Sequence, residues 1–249
     1  MSSDLLSPSD HRERVVEKPD GRRDRWRENR IRVRAEIVDA AFRATENSGP
    51  RVSMGDIAAE FGTAKPKLYR YFADKDDLYD AVVERLAGIL WSRLATADNH
   101  SSITVGEALQ SAINEYLSVV VEYPNTFRVL TVAGLASDGG NYAVPVIQQA
   151  ARRVTTLLES LTDKSHVDSR TVELLAITVA GAGAAVTKWW LGDGGTPMLP
   201  ASELTTYLQE TVQSVVATAS STLGLTIDLN QPLATAFRAV EHAGAQSRG

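Results

Sequence analysis

Gly62-Thr-Ala-Lys-Pro-Lys-Leu-Tyr-Arg-Tyr-Phe-Ala-Asp-Lys75 sets a proline between two lysines and follows them with two tyrosines flanking an arginine. Proline is tolerated in the first turn of a helix, where its missing amide hydrogen would have no intrahelical partner, so the stretch predicts a short helix starting near Lys65. Leu68 and Phe72, four residues apart, then face inward. Gly62 supplies the tight turn before it. Upstream, Ser53 with Asp56 three residues later is a capping-box-like start, followed by Met54, Ile57, Ala58 and Phe61 on one face of a second short helix. Earlier still, Ile31, Ala35, Val38 and Phe42 are spaced 4, 3, 4, giving one stripe on a helix that ends near Asn47-Ser-Gly-Pro50. Asp74, with Asp77 in the capping-box position, opens a fourth helix running to about Asp98.

The order helix, short helix, glycine turn, short helix is a helix-turn-helix arrangement. On it, Lys65, Lys67, Tyr69, Arg70 and Tyr71 are the side chains a duplex would meet, because lysine and arginine bind phosphates or guanine edges and tyrosine hydroxyls anchor on phosphate oxygens. The same run in isolation would also describe a solvated face; the flanking helices favour the duplex. Net charge is −5, yet residues 11–80 hold 16 Lys and Arg against 14 Asp and Glu, and residues 81–249 hold 10 against 15. Gly21 to Arg34 alone carries seven arginines and two acids. A basic arm on an acidic body suits a DNA-binding module joined to something else. Arg22, Arg23, Arg25, Arg27 and Arg30 are expected to enter a minor groove or line phosphates. Residues 1–24, polar and interrupted by Pro8, Pro19 and Gly21, read as a disordered leader.

The chain has no cysteine, which excludes disulfides and thiolate chemistry and suits a reducing cytoplasm. The run from Leu174 to Thr187, LLAITVAGAGAAVT, falls short of the roughly 20 residues of a membrane span, so no membrane partner is expected. His11, His100, His166 and His242 are scattered without ligand spacing, and Gly192-Asp-Gly-Gly195 lacks the lysine of a phosphate loop. An enzyme is therefore not expected, and no cofactor is called for.

Residues 35–78, AEIVDAAFRATENSGPRVSMGDIAAEFGTAKPKLYRYFADKDDL, resemble the DNA-binding domain of the TetR family of transcriptional regulators. Ala64 departs from the pattern, since the family usually has Ser or Thr there; Thr63 or a shifted helix start is expected to replace the lost cap, worth about 1 kcal/mol. The resemblance implies an all-α protein, with an N-terminal three-helix DNA-binding domain followed by a helical ligand-binding and dimerisation domain. The expected division is a leader at 1–24, the helix-turn-helix domain with its basic arm at 25–80, the helical sensor at 81–223 and a tail at 224–249. Sensor helices are expected near 103–122, 124–137, 142–163, 168–191 and 201–223. In the tail, Leu229, Leu233, Phe237 and Val240 suggest a short helix.

The same resemblance implies a homodimer on a pseudo-palindromic double-stranded operator, repression by default, and release by a small effector inside the sensor. Expected DNA contacts are Arg25, Arg27, Arg30, Ser53, Thr63, Ala64, Lys65, Pro66, Lys67, Tyr69, Arg70, Tyr71 and Lys75. Candidate effector-lining positions are Leu90, Trp91, Tyr116, Val120, Phe127, Leu130, Tyr142, Ile147, Lys188, Trp189 and Trp190, apolar or aromatic except the lysine. They point to a hydrophobic effector such as a fatty acyl chain or another lipid-like molecule. Ala180-Gly-Ala-Gly-Ala-Ala185, with Leu204, Leu208, Val212, Val215 and Val216, suggests a dimer bundle; packing within one chain is the alternative. A ligand-independent regulator and a non-specific DNA-binding protein are the rival functions.

Overall fold

The computed structural model describes residues 21–97, 103–133, 148–153, 155–156, 169–192, 197–222, 225–232 and 237–239. The first helix, α1 (Gly21–Ser48), is a single 28-residue rod. It ends at Gly49, which adopts φ +91° and donates its N–H to the Thr45 carbonyl at 2.8 Å. Helix α2 (Met54–Glu60) starts at the expected capping box. Ser53 Oγ accepts from the Asp56 N–H, and the Asp56 carboxylate accepts from the Ser53 N–H. Gly62 stops it with φ +73°; its N–H reaches Ala59 and that of Thr63 reaches Ala58, the paired bonds of a left-handed helix end. Then come α3 (Lys65–Leu68) and α4 (Lys75–Ala97). Asp74 caps α4 by accepting from the Asp77 N–H at 2.8 Å, and Asp77 reaches back to the Ala73 N–H.

The body follows with α5 (Val105–Glu122), α6 (Pro124–Ala133), α7 (Ser169–Leu191) and α8 (Ala201–Thr222), besides helical residues at 148–153 and 155–156. One apolar core runs through both halves. Ile37, Ala41, Ile57, Leu68, Phe72 and Val82 join α1 to α4; Ile113, Leu117, Val120, Leu204 and Leu208 join α5 to α8. Helix α4 packs on α1, α5 and α6, so it is the shared wall. The architecture is all-α, with one small ribbon added.

Four expectations change. The stripe on α1 is displaced: Ile31 and Ala35 are exposed, and the buried face is Ile37, Val38, Ala41, Phe42, Ala44 and Thr45, because the core shared with α2 and α4 begins only at Ile37. Residues 21–24, assigned to the leader, form the first turn of α1. The tail is not helical where it is described. β1 (Leu225–Ile227) pairs antiparallel with β2 (Phe237–Ala239), Leu225 opposite Ala239. Between them, the Leu229 and Gln231 carbonyls accept from Gly106 and Val105, satisfying the otherwise orphaned first-turn amides of α5. Gly106 permits this approach, since a Cβ there would stand 3.2 Å from the Leu229 oxygen. Leu233 and Val240 lie outside the described residues. Finally, the apolar run of α7 is longer than 14 residues: Glu173–Leu191 is long and apolar enough, by length and composition, to cross a membrane, with 22% of it buried. The segments expected at 134–137 and 157–163 also lie outside the described residues.

Candidate nucleic-acid interface

The exposed cationic segment around α3 is built on two anchors. Leu68 and Phe72 are buried against α1, α2 and α4, a burial that stabilises by about 1.5–3 kcal/mol for each side chain. They fix the roll of α3, which leaves Lys65, Pro66, Lys67, Tyr69 and Arg70 exposed on the other side, Tyr69 at 45%. The cations are supported by rings: Lys65 Nζ lies 5.9 Å from the centre of Tyr69, Lys67 Nζ 5.6 Å from Phe61, and Lys75 Nζ 4.9 Å from Tyr79. Such contacts are worth about 0.5–1 kcal/mol at exposed sites, so they orient the ammonium groups without neutralising them. Among the described residues, the segment from Phe61 to Phe72 contains no acidic side chain, whereas Asp74, Asp76 and Asp77 follow at once.

Ala64 is itself the N-cap of α3, at φ −87° and ψ 143°, with no side-chain cap bond. The expected compensation by Thr63 or by a shifted start is therefore not made. The start is held by Pro66 and by the Ala64 carbonyl, which accepts from the Lys67 N–H at 2.9 Å. Ser53 is exposed, with its hydroxyl engaged in the capping box. Tyr79 fastens the unit from behind, donating its hydroxyl to the Val52 carbonyl at 3.1 Å; burial pushes its pKa up to about 12.

The arginines of the basic arm sit on a helix. Arg25, Arg27 and Arg30 are exposed, and Arg27 pairs with Asp24 at 3.6 Å. Arg30 lies over Tyr71 at 5.4 Å and over Trp26 at 5.9 Å, while Arg34 lies over Phe72 at 4.5 Å. Trp26 and Arg34 were not singled out from sequence, although they stand at i−4 and i+4 from Arg30, the spacing that shares a helix face.

The effector candidates divide. Val120, Phe127 and Trp190 are buried core residues, and the Trp190 ring N–H donates to the Leu199 carbonyl at 2.7 Å. Tyr116 shares a 2.7 Å hydrogen bond with the buried Thr187 and meets Phe127 edge-on; burial, partly offset by Thr187, pushes its pKa up to about 12. Leu90 and Trp91 are half-buried, with Arg153 over the Trp91 ring at 4.9 Å. Lys188 is half-buried, whereas Trp189 is 55% exposed and points away from the interior that holds Trp190. The side chain of Leu130, and Tyr142 and Ile147 altogether, lie outside the described residues.

A carboxylate missed from sequence ties the halves together. Glu46, near the end of α1, accepts from the Thr126 N–H at 2.6 Å, the Asn125 N–H at 3.3 Å and the Thr126 hydroxyl. It thereby caps the first turn of α6. Arg128 on α6 continues the chain, donating to Asn125 Oδ1 at 2.9 Å and to the Leu191 carbonyl at 2.9 Å. The only sequence signal was the helix start at Pro124-Asn-Thr126.

Residues 37–82 match the family described as bacterial regulatory proteins, tetR family. The match coincides with the helix-turn-helix unit and its anchors. The chain thus carries a segment that matches the DNA-binding domain of that family. The chain is 29% identical over 194 residues to an uncharacterized HTH-type transcriptional regulator of Mycobacterium tuberculosis, covering 78% of this chain and 81% of that protein. A solved TetR-family transcriptional regulator from Streptomyces coelicolor superposes with a TM-score of 0.60 at 22% identity, covering 78% of this chain and 83% of that one. A TetR-like regulator from Rhodococcus sp. RHA1 gives 0.50 at 26% identity, covering 74% and 94%. Each of these proteins is described as a transcriptional regulator.

Proposed function

We propose that the protein is a cytoplasmic repressor that binds a pseudo-palindromic operator as a homodimer and is released by a small hydrophobic effector of the fatty-acyl or lipid-like class. In this reading residues 25–80 read the duplex and 81–223 sense the effector and dimerise. One observation carries it: an acid-free segment whose Lys65, Lys67, Tyr69 and Arg70 are presented together over the buried Leu68 and Phe72. Two copies would set these segments into successive major grooves, about 34–36 Å apart in the simplest arrangement.

The dimer is supported by α7. Leu174, Ile177 and Trp189 are exposed on it, and a Cβ built on Gly181 or Gly183 meets nothing within 4 Å, so the small-residue face is open to a second helix. Of the residues named on α8, Leu204, Leu208, Val212 and Val216 are buried within their own chain, Val215 is half-buried, and Tyr207 is the exposed aromatic. The effector class is supported by the apolar interior around the Tyr116–Thr187 pair.

The test is selection of bound duplexes from a random pool, followed by footprinting and sedimentation. A single palindromic footprint, a dimer, and loss of site-specific binding in Lys67→Ala/Tyr71→Ala are expected. A monomer, or a double variant with intact site-specific binding, rejects the operator reading. Native mass spectrometry with acyl chains tests the effector; no bound lipid and no lipid-induced release would reject that class.

A further inference from the structure

Among the described residues, the part of α1 before Ile31 adds no side chain to the three-helix core. Trp26 is 66% exposed and Ile31 is also exposed. Yet this part is registered against the end of the reading segment. Arg30 is held between the Trp26 and Tyr71 rings, and one turn later Arg34 stacks on Phe72 and pairs with Asp77 at 3.2 Å. Two rungs one turn apart, on two adjacent aromatic residues, set both the rotation and the height of α1 at this point.

The chain before Arg30 stays helical back to Gly21. At about 1.5 Å per residue, that carries the helix roughly 13 Å beyond the Arg30–Tyr71 rung. Arg27 stands three residues before Arg30, an interval that returns to one face of a helix, and the sequence continues with Arg23 four residues earlier. Asp24 meets Arg27 through an exposed 3.6 Å pair, a weak, solvent-screened interaction that a phosphate can displace. A helix about 10–12 Å wide cannot itself enter a minor groove about 6 Å wide, so of the two expected modes, groove entry by arginine side chains and phosphate contact, the second suits a helical backbone better.

We propose that the amino-terminal extension of α1 is a second duplex-binding element, a rigid arginine-faced helix that lies along the phosphate backbone outside the bases read by α3. It rests on the operator reading above. Phosphate contacts make its contribution dependent on the length of the flanking duplex and steep in salt, but indifferent to flanking base sequence.

The experiment uses the full chain and the operator recovered by selection, as a bare palindrome, with native flanks, and with scrambled flanks. Wild type should bind both flanked duplexes at least about 10-fold more tightly than the bare one at ~150 mM salt. Arg23→Gln/Arg27→Gln, helical by circular dichroism, should lose that gain. Its slope of log K against log salt should be shallower by about 2–4, one phosphate per arginine in two protomers. A double variant with wild-type affinity and slope on flanked duplexes overturns the proposal, as does a gain that follows flank sequence instead of length. If Lys67→Ala binds like wild type while the arginine variant fails, the reading of α3 falls and the extension stands.

Discussion

Replacing Glu46 with alanine tests how the DNA-binding half is joined to the body. The carboxylate accepts the Thr126 and Asn125 amides and the Thr126 hydroxyl, and Thr126 is wholly buried. Hydrogen bonds to a charged partner contribute about 1.5–3 kcal/mol, and removal of a helix N-cap costs about 0.5–2 kcal/mol. These overlap, because the same amides are counted in both, and alanine returns a few tenths through helix propensity. The expected net loss for Glu46→Ala is about 2–3 kcal/mol. In a chain of this size that lowers Tm by about 4–12 °C. Glu46→Gln retains one acceptor oxygen without the charge and should lose about half as much. Urea unfolding followed by circular dichroism and by tryptophan fluorescence, at one fixed protomer concentration, measures both variants. The reasoning is refuted if Glu46→Ala stays within about 0.5 kcal/mol of wild type, or if glutamine is the more damaging change.

Ala64→Ser supplies the missing cap of α3: the hydroxyl can accept from the Lys67 N–H at a residue already extended at φ −87°, ψ 143°. It should stabilise by about 0.5–1 kcal/mol, read as a higher urea midpoint, and an unchanged or lower midpoint contradicts the geometry. Tyr116 has a folded pKa raised above its ordinary value of 10 to about 12, so its stabilisation is fully present below pH 10 and is lost as pH rises through 12. Tyr116→Phe leaves Thr187 without that partner and should cost about 1–2 kcal/mol at pH 8. The gap to wild type should narrow between pH 10 and 12; a gap that stays constant in urea titrations at pH 9 and 11.5 argues against the shift.

The helix-turn-helix unit was legible because its signals are local. A capping box, a left-handed glycine and a proline in the first turn act within four or five residues of one another. The stripe on α1 misled because periodicity shows that a face exists but not where its covering partners start; Ile31 keeps the rhythm in solvent. Trp189 and Trp190 look equivalent in sequence, yet neighbours on a helix differ by about 100° and only one can face the core. Glu46 was illegible because its partners are 79 and 80 residues away and nothing near it is unusual. The ribbon at Leu225 and Phe237 escaped notice because three-residue strands are too short to display alternation.

The length of α1 has a mechanical corollary. From Gly21 to Ser48 the rod is about 42 Å long, and the wholly buried Ala41 lies within its core-facing stretch. Glu46 lies five residues to one side and Arg23 eighteen to the other, arms of roughly 7.5 and 27 Å. Any rigid pivot there would multiply a 1 Å displacement at the carboxylate into a swing of about 3–4 Å at the far tip, comparable with the ~3.4 Å rise of one base step. A seesaw of these proportions would let a slight settling of α6 shift the whole arginine-bearing end by a nucleotide.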